Sequence, residues 1–236
     1  MNIPFRVFAF SDDPTAATII PRGNSKNIMK FSRKEGELNF GSTSFNALEL
    51  LSSTMNINQY NFAQKQLLFI GDCYDKNRWH HSSVPANLHL NGTPLDESII
   101  FAAHYLPVFK ETHRLDIVNA IFLTDGESNM TDAVIENGVS RNLNSKYGIY
   151  SRGLCNTVIT DKKTGHIGRS KGLQPITVAL IDLAKKMTGA NIVGYYMIES
   201  RSRSALNYFL SRNGVDMDQE RANTLMKNDK IGRAHV

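Results

Sequence analysis

Apolar residues along this chain follow two spacings, and each change of spacing marks an element. Residues 5–10, FRVFAF, are short, aromatic and β-branched and stop at Ser11-Asp12-Asp13-Pro14, which predicts a strand ending in a turn. Thr18 to Ile20 suits a short neighbouring strand, and the polar, basic stretch 24–41 suits a loop. Phe45, Leu48, Leu51 and Met55 recur at helical spacing behind Ser42 or Ser44, so a capped helix is expected there. A second helix is expected over residues 60–69. Residues 71–91, with Trp79, His80, His81 and Pro85, read as an irregular connection.

The clearest unit follows. Thr93 is placed to cap a helix, with Pro94 at its first position and Asp96 and Glu97 facing the positive end of the macrodipole. Apolar residues from Ile99 to Phe109 run all round this helix, which predicts heavy burial, and Pro107 predicts a kink. Residues 117–123, IVNAIFL, are the continuous apolar run of a parallel strand covered on both faces. Residues 130–172 break the rhythm as an insertion, with a surface hairpin at 158–167 turning at Gly165. The alternation then resumes. A helix begins at Pro175 with Ile176, Leu180, Leu183 and Met187 on one face and ends at Gly189; a strand covers 191–198; a last helix covers 204–211. Strands and helices in alternation with long crossovers predict an α/β fold, a doubly wound, mostly parallel sheet wrapped by helices. Ligands of such sheets bind beyond the carboxyl ends of the strands, the edge to which this reading brings Asp12, Asp13, Thr93 and Asp125.

Composition changes this picture little. Hydrophobic residues make up 41% and charged residues 21% of 236, enough for one large α/β domain or two small ones. The formal charge of +5 permits contact with nucleic acid or acidic proteins without demanding it, because Lys and Arg are spread along the chain. Cys73 and Cys155 form no C-x-x-C pair and suit inert thiols in a reducing cytoplasm. The glycosylation sequons at Asn91 and Asn129 come without an export signal, and no apolar run nears the ~20 residues that span a bilayer. Residues 231–236, IGRAHV, equal one reading frame of a common sequencing adapter. The chain is therefore expected to be a fragment, with one domain over 1–215, a variable region at 24–91 and a tail at 216–230.

The candidate chemistry lies in two loops. A hard divalent cation takes six oxygens in a near-octahedral array, usually with several waters among them. Asp125 supplies a carboxylate at a strand tip, with Gly126 allowing a tight turn, and Thr93 supplies a neutral hydroxyl at a helix start. A turn and a cap explain each of these residues singly; their pairing on successive elements of one sheet favours a metal site.

Gly92-Thr93-Pro94-Leu95, Phe122-Leu123-Thr124-Asp125-Gly126-Glu127-Ser128 and, more loosely, Phe8-Ala9-Phe10-Ser11 together resemble a von Willebrand factor A-type domain. The wording is similar to bacteriophage versions named after a cobaltochelatase subunit, over roughly residues 3–215. The resemblance implies a Rossmann-like fold and a metal-ion-dependent adhesion site holding magnesium or manganese. Thr93 matches the threonine of the second loop of that site and Asp125 the aspartate of the third, with Asp12, Asp13, Glu127 and Ser128 as outer-shell candidates. The first loop, Asp-x-Ser-x-Ser, is absent; Asp96-Glu97-Ser98 is the nearest approach and sits inside the helix. The first strand and helix of the family pattern are then expected upstream of Met1, metal binding is expected to be weak, and without that central strand either weak stability or direct pairing of residues 5–10 with 117–124 is expected. The resemblance further implies an acidic side chain from a partner completing the metal shell, and a MoxR-like AAA+ ATPase as that partner. It implies an adaptor rather than an enzyme, with no membrane association.

Three rival readings remain open, one of them a purely structural virion component that binds no metal at all. A metal-dependent hydrolase would use Glu127 as general base on metal-bound water, although neither an H-E-x-x-H helix nor a G-x-S-x-G elbow is present. His80, His81, His89 and Cys73 have the residue types of a zinc cluster but irregular spacing, which favours a solvated loop. Arg152, Lys162, Lys163, His166, Arg169 and Lys171 gather around the hairpin, and Arg201 and Arg203 follow a strand tip; such residues attract phosphates, although a solvated basic hairpin is the simpler reading.

Overall fold

The computed structural model describes residues 3–12, 38–40, 45–74, 84–85, 88–124, 128, 131–136, 139–142, 158–171 and 176–197; for 38–40, 131–136, 139–142 and 196 the backbone alone is described. In chain order its elements are β1 (Arg6–Ser11), β2 (Leu38–Phe40), β3 (Asn46–Ser52), α1 (Ile57–Cys73), α2 (Leu95–His113), β4 (Asn119–Thr124), β5 (Thr131–Glu136), β6 (Val139–Asn142), β7 (Val158–Thr160), β8 (Ile167–Arg169), α3 (Ile176–Thr188) and β9 (Asn191–Tyr196). The chain divides into two compact units, Met1–Ser32 with Gly41–Pro94, and Arg33–Phe40 with Leu95–Val236.

In the first unit β1 pairs antiparallel with β3, from Arg6 opposite Ser52 to Ser11 opposite Asn46, with a register shift between Val7 and Phe8. Residues 46–52 are thus a strand, not the helix that Phe45, Leu48, Leu51 and Met55 suggested. The buried positions Asn46, Leu48 and Ser52 keep a period of two. The cap of α1 is built only four residues further on. Asn56 accepts from the Gln59 amide while the Gln59 side chain accepts from the Asn56 amide, each at 3.0 Å. This reciprocal cap starts α1 at Ile57 and carries it to Cys73, well beyond the expected 60–69. Leu48, Ile70, Cys73, Val84 and Leu88 form the core of this unit, flanked by Ala9, Leu50 and Tyr74.

The pairing of β1 with β3 corrects the expectation that residues 5–10 pair with 117–124. Closing the shorter loop to residues 46–52 costs less chain entropy, and it satisfies the β1 ladder.

In the second unit β4 and β9 form a parallel ladder in continuous register, Asn119 opposite Asn191 through Thr124 opposite Tyr196. This is the parallel ladder among the described residues; the remaining ladders, β2–β5–β6 and β7–β8, are antiparallel. β2 therefore lies in the stretch 24–41 where loop was expected, β5 and β6 add strands to the insertion 130–172, and β7 with β8 forms the hairpin expected at 158–167. β4 is covered on one face only. Val118 and Ala120 are buried, whereas Ile117, Ile121 and Leu123 are 71%, 62% and 58% exposed. The apolar run signalled a strand correctly, but its alternate side chains lack the second covering layer that a central strand would have.

Helix α2 likewise buries a single stripe, Ile99, Ala103, Leu106 and Phe109, while Val108 stands 58% exposed. It runs through Pro107, which leaves the Ala103 carbonyl without its usual donor. Its end is closed by Arg114 at φ 51°, with the Leu115 amide donating to the Lys110 carbonyl at 3.0 Å. α3 closes in the expected way, on Gly189 at φ 63°. Because an L side chain in the left-handed region costs about 1 kcal/mol or more, Arg114→Gly is expected to stabilise the protein by about 1 kcal/mol, read as a raised midpoint in urea denaturation.

Candidate functional site

The loop leading to Thr93 is held by hydroxyl groups in place of a strand ladder. The Ser11 hydroxyl, 1% exposed, accepts from the Asn91 amide at 3.0 Å and lies 3.1 and 3.2 Å from the carbonyls of His89 and Asn91, to which its single proton is directed. The Tyr74 hydroxyl accepts from the Leu90 amide at 2.9 Å and donates to the Leu90 carbonyl at 3.2 Å. The Asp12 amide donates to the Asn91 carbonyl at 3.0 Å. Gly92 then adopts φ 63°, and a Cβ built there would overlap the Asp12 carboxylate. Asp12, Gly92 and the half-buried Thr93 therefore form one rigid corner of the first unit. Replacing Gly92 with Ala is expected to cost about 2 kcal/mol and to displace the Asp12 carboxylate, checked by thermal melting and by the Asp12 amide shift.

In the second unit the start of α2 is a buried polar cluster. Asp96 and Glu97, in the first turn where carboxylates favour the positive end of the helix dipole, are 0% and 1% exposed. Asp96 Oδ1 accepts from the Thr177 hydroxyl of α3 at 2.6 Å. The Asp96 amide, one of the donors a helix start leaves unpaired, donates to Ser128 Oγ at 3.1 Å. Ser98 donates to the Leu95 carbonyl at 2.7 Å. The helix begins at Leu95, one residue past the expected first position at Pro94.

Asp13, Asp125, Glu127 and Arg152 lie outside the described residues. Thr93 of the first unit is half-buried, Ser128 Oγ of the second unit accepts from the Asp96 amide, and among the described residues there is no group of three His, Cys, Asp or Glu side chains able to hold a metal. Of the histidine–cysteine set, His80 and His81 are outside the described residues. Cys73 is a core residue, and His89 Nε2 faces the Val84 carbonyl at 3.0 Å, so that nitrogen carries the proton.

The hairpin is not a loose surface insertion; it is seated on α3. A Cβ on Gly168 would run into the Ala179 carbonyl and the Leu183 backbone and side chain. Asp182 Oδ2 accepts from the Arg169 amide at 2.8 Å and from Lys186 Nζ at 2.7 Å, and Lys186 Nζ also donates to the Ile167 carbonyl at 2.9 Å. At the tip the Asp161 carboxylate accepts from the amide and hydroxyl of Thr164, at 2.7 and 2.6 Å. Lys162, Lys163, Arg169 and Lys171 all point to solvent.

The bond from Lys186, with that from the Arg169 amide, holds the Asp182 carboxyl below the ordinary aspartate value of 3.8, against a smaller opposing effect of burial. A carboxyl lowered on folding stabilises above its unfolded pKa and loses that contribution as pH falls through the folded value. The seat of β8 is therefore expected to be unchanged from neutral pH down to about pH 4 and to loosen below it. The Arg169 amide resonance is expected to titrate with a midpoint under 3.8.

The two units define a mixed helix-and-strand protein with one small parallel ladder, and no helix among the described residues is long and apolar enough to cross a membrane. No family model matches the chain, and neither a curated protein nor a solved structure matches it.

The sequence reading missed Ser11, Tyr74, Gly168 and Thr177. Gly168 alone left a local signal, a glycine directly after the predicted hairpin, where a neighbour can come close.

Proposed function

We propose that the chain is a von Willebrand factor A-type interaction domain of Rossmann-like plan, in which Thr93 and Asp125 ligate a weakly held magnesium or manganese ion. An acidic side chain of a protein partner completes the shell, and a MoxR-like AAA+ ATPase in the cytoplasm is the partner class. The observation that carries this reading is the bond from the Asp96 amide to Ser128 Oγ. It ties the loop that follows the parallel strand β4, the loop containing Asp125, to the helix whose start lies just beyond Thr93. The rigid 89–92 segment adds support, since a ligand hydroxyl is useful only where its backbone is already positioned. One carboxylate and one hydroxyl leave most of the octahedral shell to water, so the ion is held loosely and exchanges readily.

Manganese titration followed by electron paramagnetic resonance tests this. One weak site is expected, displaced by magnesium, weakened in Thr93→Val and abolished in Asp125→Ala. Binding that is unchanged in both variants would sink the proposal.

A further inference from the structure

The hairpin and α3 together gather charge that is dispersed along the sequence. Residues 158–171 and 176–188 carry six Lys and Arg against two Asp, so this one unit of β7, β8 and α3 holds +4 of the chain's formal +5. We infer that this face, presented by Lys162, Lys163, Arg169, Lys171 and Lys185, is a docking surface for the phosphate backbone of duplex nucleic acid, independent of the Thr93–Asp125 site.

Three features separate it from an ordinary solvated hairpin. First, the cations are presented from a fixed frame. Gly168 lies against the α3 backbone, Asp182 and Lys186 side chains satisfy the Arg169 amide and Ile167 carbonyl, and Asp161 closes the tip. Less side-chain and loop ordering then opposes binding. Second, alternation sends every charge outward: Gly168 and Ser170 are buried while Arg169 and Lys171 between and beyond them are exposed. Third, both aspartates of the unit are turned to internal work, Asp161 on Thr164 and Asp182 on β8 and Lys186, so neither stands apart as a free anion on this face.

The tip also decides between polyanions. Its residues Asp161, Lys162, Lys163, Thr164, Gly165 and His166 include no large apolar side chain to enter a bilayer, which disfavours a lipid surface. They include no Phe, Tyr or Trp, and the His166 imidazole is the single ring on which an unpaired base could stack, which disfavours single strands. Contacts limited to Lys and Arg position a protein on backbone phosphates without reading sequence.

The test is fluorescence anisotropy of the full chain with a labelled 24-base-pair duplex of arbitrary sequence, titrated at several salt concentrations. Four phosphate contacts predict affinity falling about a hundredfold between 50 and 200 mM salt. Lys162→Glu with Lys163→Glu is expected to lower affinity about tenfold or more and to reduce the salt slope by about two contacts. Lys65→Glu on the exposed side of α1 makes the same kind of charge change elsewhere and is expected to leave the slope unaltered. Absence of binding at 50 mM salt, a salt slope indifferent to the tip lysines, or preference for phosphatidylserine vesicles over the duplex would each overturn the inference. The manganese titration is independent of all three results, so the two proposals fail separately.

Discussion

Gly168→Ala is expected to unseat the hairpin from α3 at a cost of about 3 kcal/mol. The added methyl group would meet the Ala179 carbonyl and the Leu183 amide, the latter 2.8 Å from the built Cβ. Both belong to a helix backbone, so neither can rotate away as a side-chain end would. Relief requires β8 to lift, and lifting breaks the bonds from the Arg169 amide to Asp182 and from Lys186 to the Ile167 carbonyl. Hydrogen exchange should therefore report lost protection at the Arg169 and Asp161 amides while the β4–β9 ladder keeps its own. Protection unchanged at Arg169 would mean that the close approach of β8 to α3 is not what holds the hairpin. The variant should also bind the duplex more weakly although every cation remains, because the frame presenting them is loosened.

The second large effect is expected at Asp96. This carboxylate is 0% exposed and accepts from Thr177 at 2.6 Å, joining the start of α2 to the first turn of α3. Removing it in Asp96→Ala strands the part-buried Thr177 hydroxyl and opens a small cavity, which together are expected to cost about 3 kcal/mol. Asp96→Asn keeps an oxygen in the same place and is expected to cost roughly half as much or less. Thr177→Val removes the other partner, and a double-mutant cycle should return a coupling of about 1–2 kcal/mol. Equal losses in the Ala and Asn variants would show that the Thr177 bond is not the contact that matters. Because the same residue's amide holds Ser128, Asp96→Ala should also weaken manganese binding without altering either proposed ligand.

Local chemistry made part of the fold legible. Asp161-Lys162-Lys163-Thr164-Gly165 carries its own turn, since the aspartate caps the loop and the glycine supplies φ 73°. Ile176, Leu180 and Leu183 mark one side of α3, and Gly189 stops it. Parallel pairing of β4 with β9 followed from two apolar runs separated by a helix. The candidate site was legible only as residue types: Thr93 before a helix and Asp125 after a strand.

The failures share one cause. Residues 45–55 satisfy a helical spacing and a strand spacing at once, and the choice went to whichever partner strand was available, here β1. The Asn56–Gln59 cap was present in the sequence as a local signal, but its weight came from closing off a helix that would have ended beside it. The partner of Asp96 is not legible nearby, because nothing in its local sequence announces that Thr177 of α3 will donate to it from 81 residues away. The exposed face of Ile117, Ile121 and Leu123 is the converse case, an apolar pattern with no second layer among the described residues.

What the sequence by itself determined, then, is the set of elements whose signals are local: the hairpin turn, the stop at Gly189 and the apolar strands of the parallel pair, each specified by backbone sterics and hydrogen bonds within a few residues. Only the tertiary structure decided which strand β1 would pair with, that Asp96 would be buried against Thr177, and that Gly168 would lie against the α3 backbone. Those outcomes depend on contacts between segments far apart in sequence, and a residue's own neighbourhood carries no record of the surface that will be packed against it.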